Sequence, residues 1–213
     1  MTSPRDAYHH GDLRNALVGA AVRLIEQSGP TAFSLREAAR EVGVSANAAY
    51  RHFDDKSALM GAAALDGHLQ LADRMRAAMQ ATARRRPSNA NPPSVARFKA
   101  LGRAYVEFAL ERPALLRLMF GESGVGCLSR QAEMAPVETA WTLLGQALDA
   151  LVADGALSHA QREGAELQAW SAVHGLASLA LAGLDAVPDG AARPAAVEAL
   201  LDFVVRGLVG PTP

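Results

Sequence analysis

The chain has 213 residues, with 21 Lys and Arg against 22 Asp and Glu and a net charge of −1. That length holds either one large domain or a small one of about 50 residues followed by a larger one. Half the residues are apolar, aromatics make up only 5%, and runs of β-branched residues bounded by turn signals are missing, which excludes a sheet and favours an all-α fold. A single cysteine, Cys127, excludes an internal disulfide framework and suits a reducing cytoplasm. The polar stretch from Met1 to His10 lacks the apolar core of a secretory signal, and the most apolar stretch, Ala169 to Leu184, is shorter than the roughly 20 residues of a bilayer span. A soluble cytoplasmic protein without membrane contact is expected. Residues 1–60 carry seven basic and seven acidic side chains, so any affinity for nucleic acid rests on where the charges stand and not on their sum.

After a polar arm, Leu13, Leu17, Ala20 and Leu24 share one helical face, and Gly29-Pro30 closes a first helix. Ser34 stands three residues before Glu37, the spacing at which a capping hydroxyl and a returning carboxylate satisfy each other's backbone amides. A short second helix therefore runs to Val42, before Gly43. Ser45 caps a third through Ala49, Tyr50 and Phe53, and Asp54-Asp55 suit the start of a fourth that extends from about Lys56 to Arg84. Arg84-Arg85-Arg86, expected to be merely solvated, leads into a polar, proline-rich loop up to Pro93. Val95, Phe98, Leu101, Tyr105 and Phe108 mark a fifth helix that breaks near Arg112-Pro113, and a sixth covers Leu115 to Phe120. Gly121 to Gly126 reads as a flexible connection. Pro136 suits the first turn of a seventh helix with Val137, Trp141, Leu144, Leu148 and Leu151 inward, ending near Asp154-Gly155. An eighth helix is expected from His159 to Leu184, then a turn at Pro188-Asp189-Gly190 and a ninth with Val197, Leu200, Leu201, Val204 and Leu208 as its stripe.

The specific signal is residues 34–53, SLREAAREVGVSANAAYRHF. Two short helices crossing steeply through a tight turn need a small residue at the contact, a glycine at the turn and apolar flanks. Ala39, Gly43, Val42 and Val44 supply them, while Leu35, Ala38, Ala49 and Phe53 can pack onto the first helix. The small, polar third helix that remains fits a major groove. This stretch resembles the DNA-binding domain of the tetracycline-repressor (TetR) family, whose hallmark ends in Tyr, two residues, Phe and then Lys, here Tyr50, Phe53 and Lys56. The opening from Tyr8 to Arg14 (YHHGDLR) is similar to one branch of that family. So is Trp170-Ser-Ala-Val-His174-Gly175, with Val173 standing where an aromatic is common. The N-terminal resemblance covers residues 8 to about 60. It implies a recognition role for the third helix and a dimer interface on the last two long helices.

At the third helix, Ser45 is both its N-cap and a donor near the positive end of the dipole, where a phosphate can sit. Asn47 is the best base reader, because its amide can pair bidentately with an adenine edge, and Ala48 is small enough to meet a thymine methyl. Tyr50 and His52 offer donors to phosphate, which the resemblance supports; Lys56 and Arg36 can neutralise phosphates. With Ser34, Ala46 and Arg51 these residues make up the expected DNA-facing set. Residues 1–56 form the reader and 57–213 a helical domain for effector binding and dimerisation.

Effector contacts are expected from Phe98, Tyr105, Phe108, Met119, Phe120, Trp141, Trp170 and His174, a mostly apolar set that suits an apolar or aromatic molecule, although such stripes also build ordinary cores. In the last two long helices Ala172, Gly175, Ala180, Ala182 and Gly183 allow close approach and Leu200, Leu201, Val204 and Leu208 add bulk, as a two-fold four-helix bundle between copies requires. No nucleophile elbow, zinc-protease helix, phosphate-cradling loop or metal-spaced Cys/His cluster is present, and the six histidines are dispersed or paired at the terminus, so no enzyme, metal or cofactor is expected. The reading that follows is a ligand-responsive regulator, most simply a repressor, that binds a palindromic operator as a homodimer. The balanced charge leaves one rival, a protein-interaction module on a helix-turn-helix scaffold.

Overall fold

The computed structural model describes residues 10–83, 92–121 and 138–209. Among these the chain is all-helical: α1 (His10–Ser28), α2 (Leu35–Val42), α3 (Ala46–Tyr50), α4 (Lys56–Ala83), α5 (Pro93–Glu111), α6 (Pro113–Phe120), α7 (Ala140–Ala153), α8 (His159–Arg162), α9 (Ala165–Leu181) and α10 (Arg193–Val209), the last preceded by a single 3₁₀ turn, Gly190–Ala192. The expected tri-arginine, most of the proline-rich run, the glycine-rich connection, Cys127 and the helix start at Pro136 lie outside the described residues.

The helices gather into two compact units, residues 10–68 with 112–121, and residues 69–111 with 138–209; α4 contributes its first half to one and the rest to the other. In the first unit α1 buries Leu17 and Ala20 as its period predicts, but the buried face turns onto Ala21, Val22 and Ile25, leaving Leu13 and Leu24 half-buried. It ends where Gly29 takes φ 79° and donates to the Ile25 carbonyl at 2.8 Å. α6 starts with Pro113 at its first turn, where a missing N–H costs nothing, and packs on α1; Arg112 pairs with Glu26 beside that contact. On α4, Gly67 and His68 are buried against α6: a Cβ at Gly67 would lie 2.8 Å from Met119 Sδ, and the His68 ring meets Phe120 edge-on with centroids 5.4 Å apart.

The second unit is built around α5, whose Val95, Phe98, Leu101, Tyr105 and Phe108 are all buried as their spacing predicts, together with Ala104, Val106 and Ala109. A helix apolar on several sides needs neighbours on several sides, and α7, α9 and α10 supply them. Ion pairs tie its polar edge to α10: Lys99 Nζ reaches Glu198 at 2.9 Å and Asp202 at 2.7 Å, and Arg103 Nε reaches Glu198 at 2.5 Å.

Two expectations are corrected. The long eighth helix is broken: α8 is one turn, capped by Ser158 and Gln161, and Gly164 at φ 73° resets the chain before α9. The break is held by Arg162, which bonds Asp149 on α7 at 2.8 Å and Glu166 on α9 at 2.7 Å. Trp141, expected inward on the seventh helix, is 47% exposed, whereas Leu144, Leu148 and Leu151 are buried. The described helix begins only at Ala140, capped by Thr139, so Trp141 sits in its first turn rather than on an established inner face.

Candidate nucleic-acid interface and effector cavity

The reader is positioned by caps. Ser34 Oγ accepts from the Glu37 amide at 3.2 Å, and Glu37 returns to the Ser34 hydroxyl at 3.0 Å, where the capping-box spacing predicted the amide. At the other end of α2, Gly43 adopts φ 80°, its N–H bonds Arg40, and the Val44 N–H reaches the Ala39 carbonyl at 2.9 Å. This closed turn aims α3 away from α2 while Leu35, Ala38, Ala39, Ala49 and Phe53 stay in the core. Ser45 Oγ then caps α3 by accepting from Ala48 N at 3.2 Å.

On α3 only Ala49 is buried. Ser45 and Asn47 are exposed, Tyr50 is 46% exposed, and Ala46 and Ala48 are half-buried between them. Arg36 and Arg51 are exposed, His52 and Ser34 half-buried. Lys56 is more constrained than a solvated cation: its Nζ donates to the Thr31 carbonyl at 2.9 Å and lies 5.0 Å from the Phe33 ring centroid. It thereby pins the α1–α2 loop to the start of α4 and keeps two donors for a phosphate. Arg14, which the sequence did not single out, stacks 5.0 Å over the Phe53 ring and covers the apolar end of the motif.

The second unit contains an apolar cavity between α4, α5, α7, α9 and α10. Phe98, Tyr105 and Trp170 of the expected effector set line it, together with Met75, Gly102 and Leu201 among others. His174 stands behind the wall, its Nδ1 2.6 Å from the Tyr105 hydroxyl. The aromatic rings continue outward: Trp170 meets Tyr105 at 5.1 Å between centroids and Trp141 at 5.7 Å. Burial pushes the Tyr105 hydroxyl pKa well up and that of His174 below the usual imidazole value, which favours the neutral form of both groups in this contact. Phe108 is buried in the core of the second unit, and Met119 and Phe120 belong to the first unit, around Gly67 and His68. Met75, Gly102 and Leu201 were not anticipated, because their convergence depends on which helices meet and not on a local pattern.

A helix-turn-helix with an exposed third helix, followed by a helical unit around an apolar cavity, defines the class of helical DNA-binding regulators. Residues 98–208 match the profile described as "Tetracyclin repressor-like, C-terminal domain" and residues 17–63 that of "Bacterial regulatory proteins, tetR family". The chain belongs to the TetR family and is a DNA-binding transcription regulator; members of this family are regulators and not enzymes. A protein described as of unknown function from Rhodococcus sp. RHA1 is 31% identical, with 96% of this chain and 100% of that chain covered and a TM-score of 0.74. Two further structures share the fold: the fatty acid degradation regulator FadR from Bacillus halodurans (14% identity, 98% of each chain, TM-score 0.66) and NalD, the secondary repressor of the MexAB-OprM multidrug efflux pump in Pseudomonas aeruginosa (20% identity, 96% of this chain and 100% of that one, TM-score 0.58). No functionally curated sequence matches the chain. Among the described residues, no helix is long and apolar enough to cross a membrane.

Proposed function

We propose that the protein is a cytoplasmic repressor that binds a palindromic operator as a homodimer and releases it when a small apolar effector enters the cavity of the second unit. The observation that carries the reading is the exposure pattern of α3, in which one alanine faces the core while Ser45, Asn47 and Tyr50 face outward. In this reading Asn47 reads a base edge, Ala46 and Ala48 let the helix seat deeply, and Ser34, Arg36, Ser45, Tyr50, Arg51, His52 and Lys56 contact the phosphate backbone. Residues 1–56 act as the reader and 57–213 as the sensing and dimerising body.

Dimerisation is supported by the faces of α9 and α10 that the single chain leaves open. Leu167, Leu179 and Phe203 are 65%, 47% and 65% exposed, and among the described residues nothing lies within 4 Å of where a Cβ would stand at Gly175 or Gly207. Leu201, Val204 and Leu208, expected to give the interface bulk, are instead buried in the protomer, so Phe203 takes that role. Release by an effector requires differential affinity of the ligand for the two states of the reader, and the apolar cavity offers the place for it.

Selection from a random duplex library by the full-length protein tests the reading. A recovered palindrome, with half-sites about one helical turn apart or a multiple of it, is the expected result. Asn47→Ala relaxes preference at one base pair of each half-site, by about 1 to 3 kcal/mol of discrimination. Lys56→Ala weakens binding to all sequences alike. Both variants binding the wild-type operator unchanged would discard this docking, and a library with no enrichment would favour the interaction-module alternative.

A further inference from the structure

We infer that Arg14 on α1 is a further phosphate contact of the reader, held ready for the DNA backbone by the ring of Phe53. The inference rests on the DNA-binding reading above and adds a residue to that surface. Arg14 is exposed, and its guanidinium carbon lies 5.0 Å from the Phe53 ring centroid, while Phe53 itself is only 3% exposed. One side of the guanidinium therefore rests on a buried ring and the other meets solvent. Among the described residues Arg14 makes no ion pair, whereas Arg23, further along α1, is engaged by Glu41 at 2.6 Å and Arg112 by Glu26. A ring contact, unlike a carboxylate, does not neutralise the cation, so the charge and the N–H donors of Arg14 stay available to a ligand.

The place of the ring tells which ligand. Phe53 falls midway in sequence between Tyr50 and Lys56, both assigned to phosphate above, and Lys56 is held in the same manner, with Nζ 5.0 Å from the Phe33 ring centroid. Two cations on rings, one from α1 and one from α4, accompany the exposed α3. A guanidinium offers a planar fork that suits two phosphate oxygens, and stacking on Phe53 limits the freedom it gives up on binding. A contact from α1 fixes the register of the reader on the duplex without reading sequence. Local patterning hides this role, because Arg14 falls on the polar side of α1 and only the return of Phe53 to that helix gives it a support.

Titrations of the full-length protein over a range of salt concentrations test the inference, with a duplex carrying the selected palindrome and a scrambled duplex of the same length and composition. Arg14→Gln is expected to weaken binding to both duplexes by a similar factor, roughly tenfold for a dimer at about 0.1 M salt, and to make log K against log salt shallower by about 0.9 per protomer. Arg14→Lys keeps the charge and should retain the wild-type slope while losing about threefold in affinity, since an ammonium has no fork. Because the side chain is exposed, the variants are expected to fold, which circular dichroism checks at the titration temperature. An unchanged slope in Arg14→Gln overturns the proposal even if affinity falls: a residue that only covers Phe53 affects stability and leaves the number of neutralised phosphates as it was. Lys56→Gln separates this contact from the reading beneath it. A shallower slope there with none in Arg14→Gln refutes the Arg14 contact alone, while wild-type protein that binds neither duplex refutes both.

Discussion

Gly43 and Gly67 show how differently one residue type can be constrained. Gly43 holds φ 80° with nothing within 4 Å of where a Cβ would stand, so the cost of a side chain there is purely one of backbone conformation. Gly43→Ala is expected to destabilise the protein by about 1 kcal/mol, a Tm decrease of roughly 2 to 4 °C by calorimetry. Gly67 has ordinary helical backbone, but its missing Cβ makes room for Met119 and Leu115, and Gly67→Ala should cost about 1 to 3 kcal/mol through overpacking. Equal and negligible effects of both substitutions in urea unfolding would refute both accounts. The first glycine was legible in the sequence because a helix stop is a local event. The second was not, since it depends on the partner α6, far away in sequence.

Among the elements, α4 and α6 share a buried histidine that makes stability depend on pH. Burial holds the His68 pKa below the usual imidazole value, a backbone hydrogen bond with Met119 opposing, and its Nε2 has no hydrogen-bond partner among the described residues. Burial lowers His174 as well. Because the unfolded chain takes up these protons near pH 6.5 and the folded chain only below it, stability is full above about pH 6.5 and is lost as pH falls toward the folded values. His68→Leu should therefore reduce the slope of unfolding free energy against pH between about 5 and 6.5, and the double variant with His174→Leu should nearly abolish it. An unchanged slope would sink the assignment. A second, more acidic loss belongs to the α5–α10 clamp: burial alone would raise Glu198, but hydrogen bonds from Arg103 and Lys99 bring it below the ordinary carboxylate range. Its stabilisation is present above about pH 4.3 and disappears as pH falls through that lowered value. Helix periods and caps made most of these elements legible, whereas the break at Gly164 was not. A mid-helix glycine is tolerated, and what turns this one into a stop is Arg162 holding α7 and α9 together across it.

At the scale of the whole molecule the decisive feature is a phenylalanine that the protomer does not use. On α10, Val197, Leu201, Val204 and Leu208 recur on the buried side, while Phe203 stands 65% exposed with Ala199 one turn before it and Gly207 one turn after. A large ring between two small residues is a knob beside its own holes, and a two-fold axis would bring each ring against the small residues of the other copy. The apolar period alone could not distinguish the two faces: it marked Leu201 and Val204 as candidates for the interface because they are as apolar as Phe203, and only the packing of α5 against α10 decides which face is already spent. Phe203→Glu would place two carboxylates on that axis, away from water and without counter-charges, at a cost of about 3 kcal/mol or more. The protomer should still fold, since the replaced side chain is mostly exposed, and its Tm at high dilution should match that of the wild type. On the proposed interface, sedimentation should find the wild type dimeric and the variant monomeric, and affinity for a two-half-site operator should collapse toward that for one half-site, with a roughly halved salt dependence because half the phosphate contacts are lost. A Phe203→Glu protein that remained dimeric and bound the palindrome normally would move the interface elsewhere, and with it the route by which two readers are held at operator spacing.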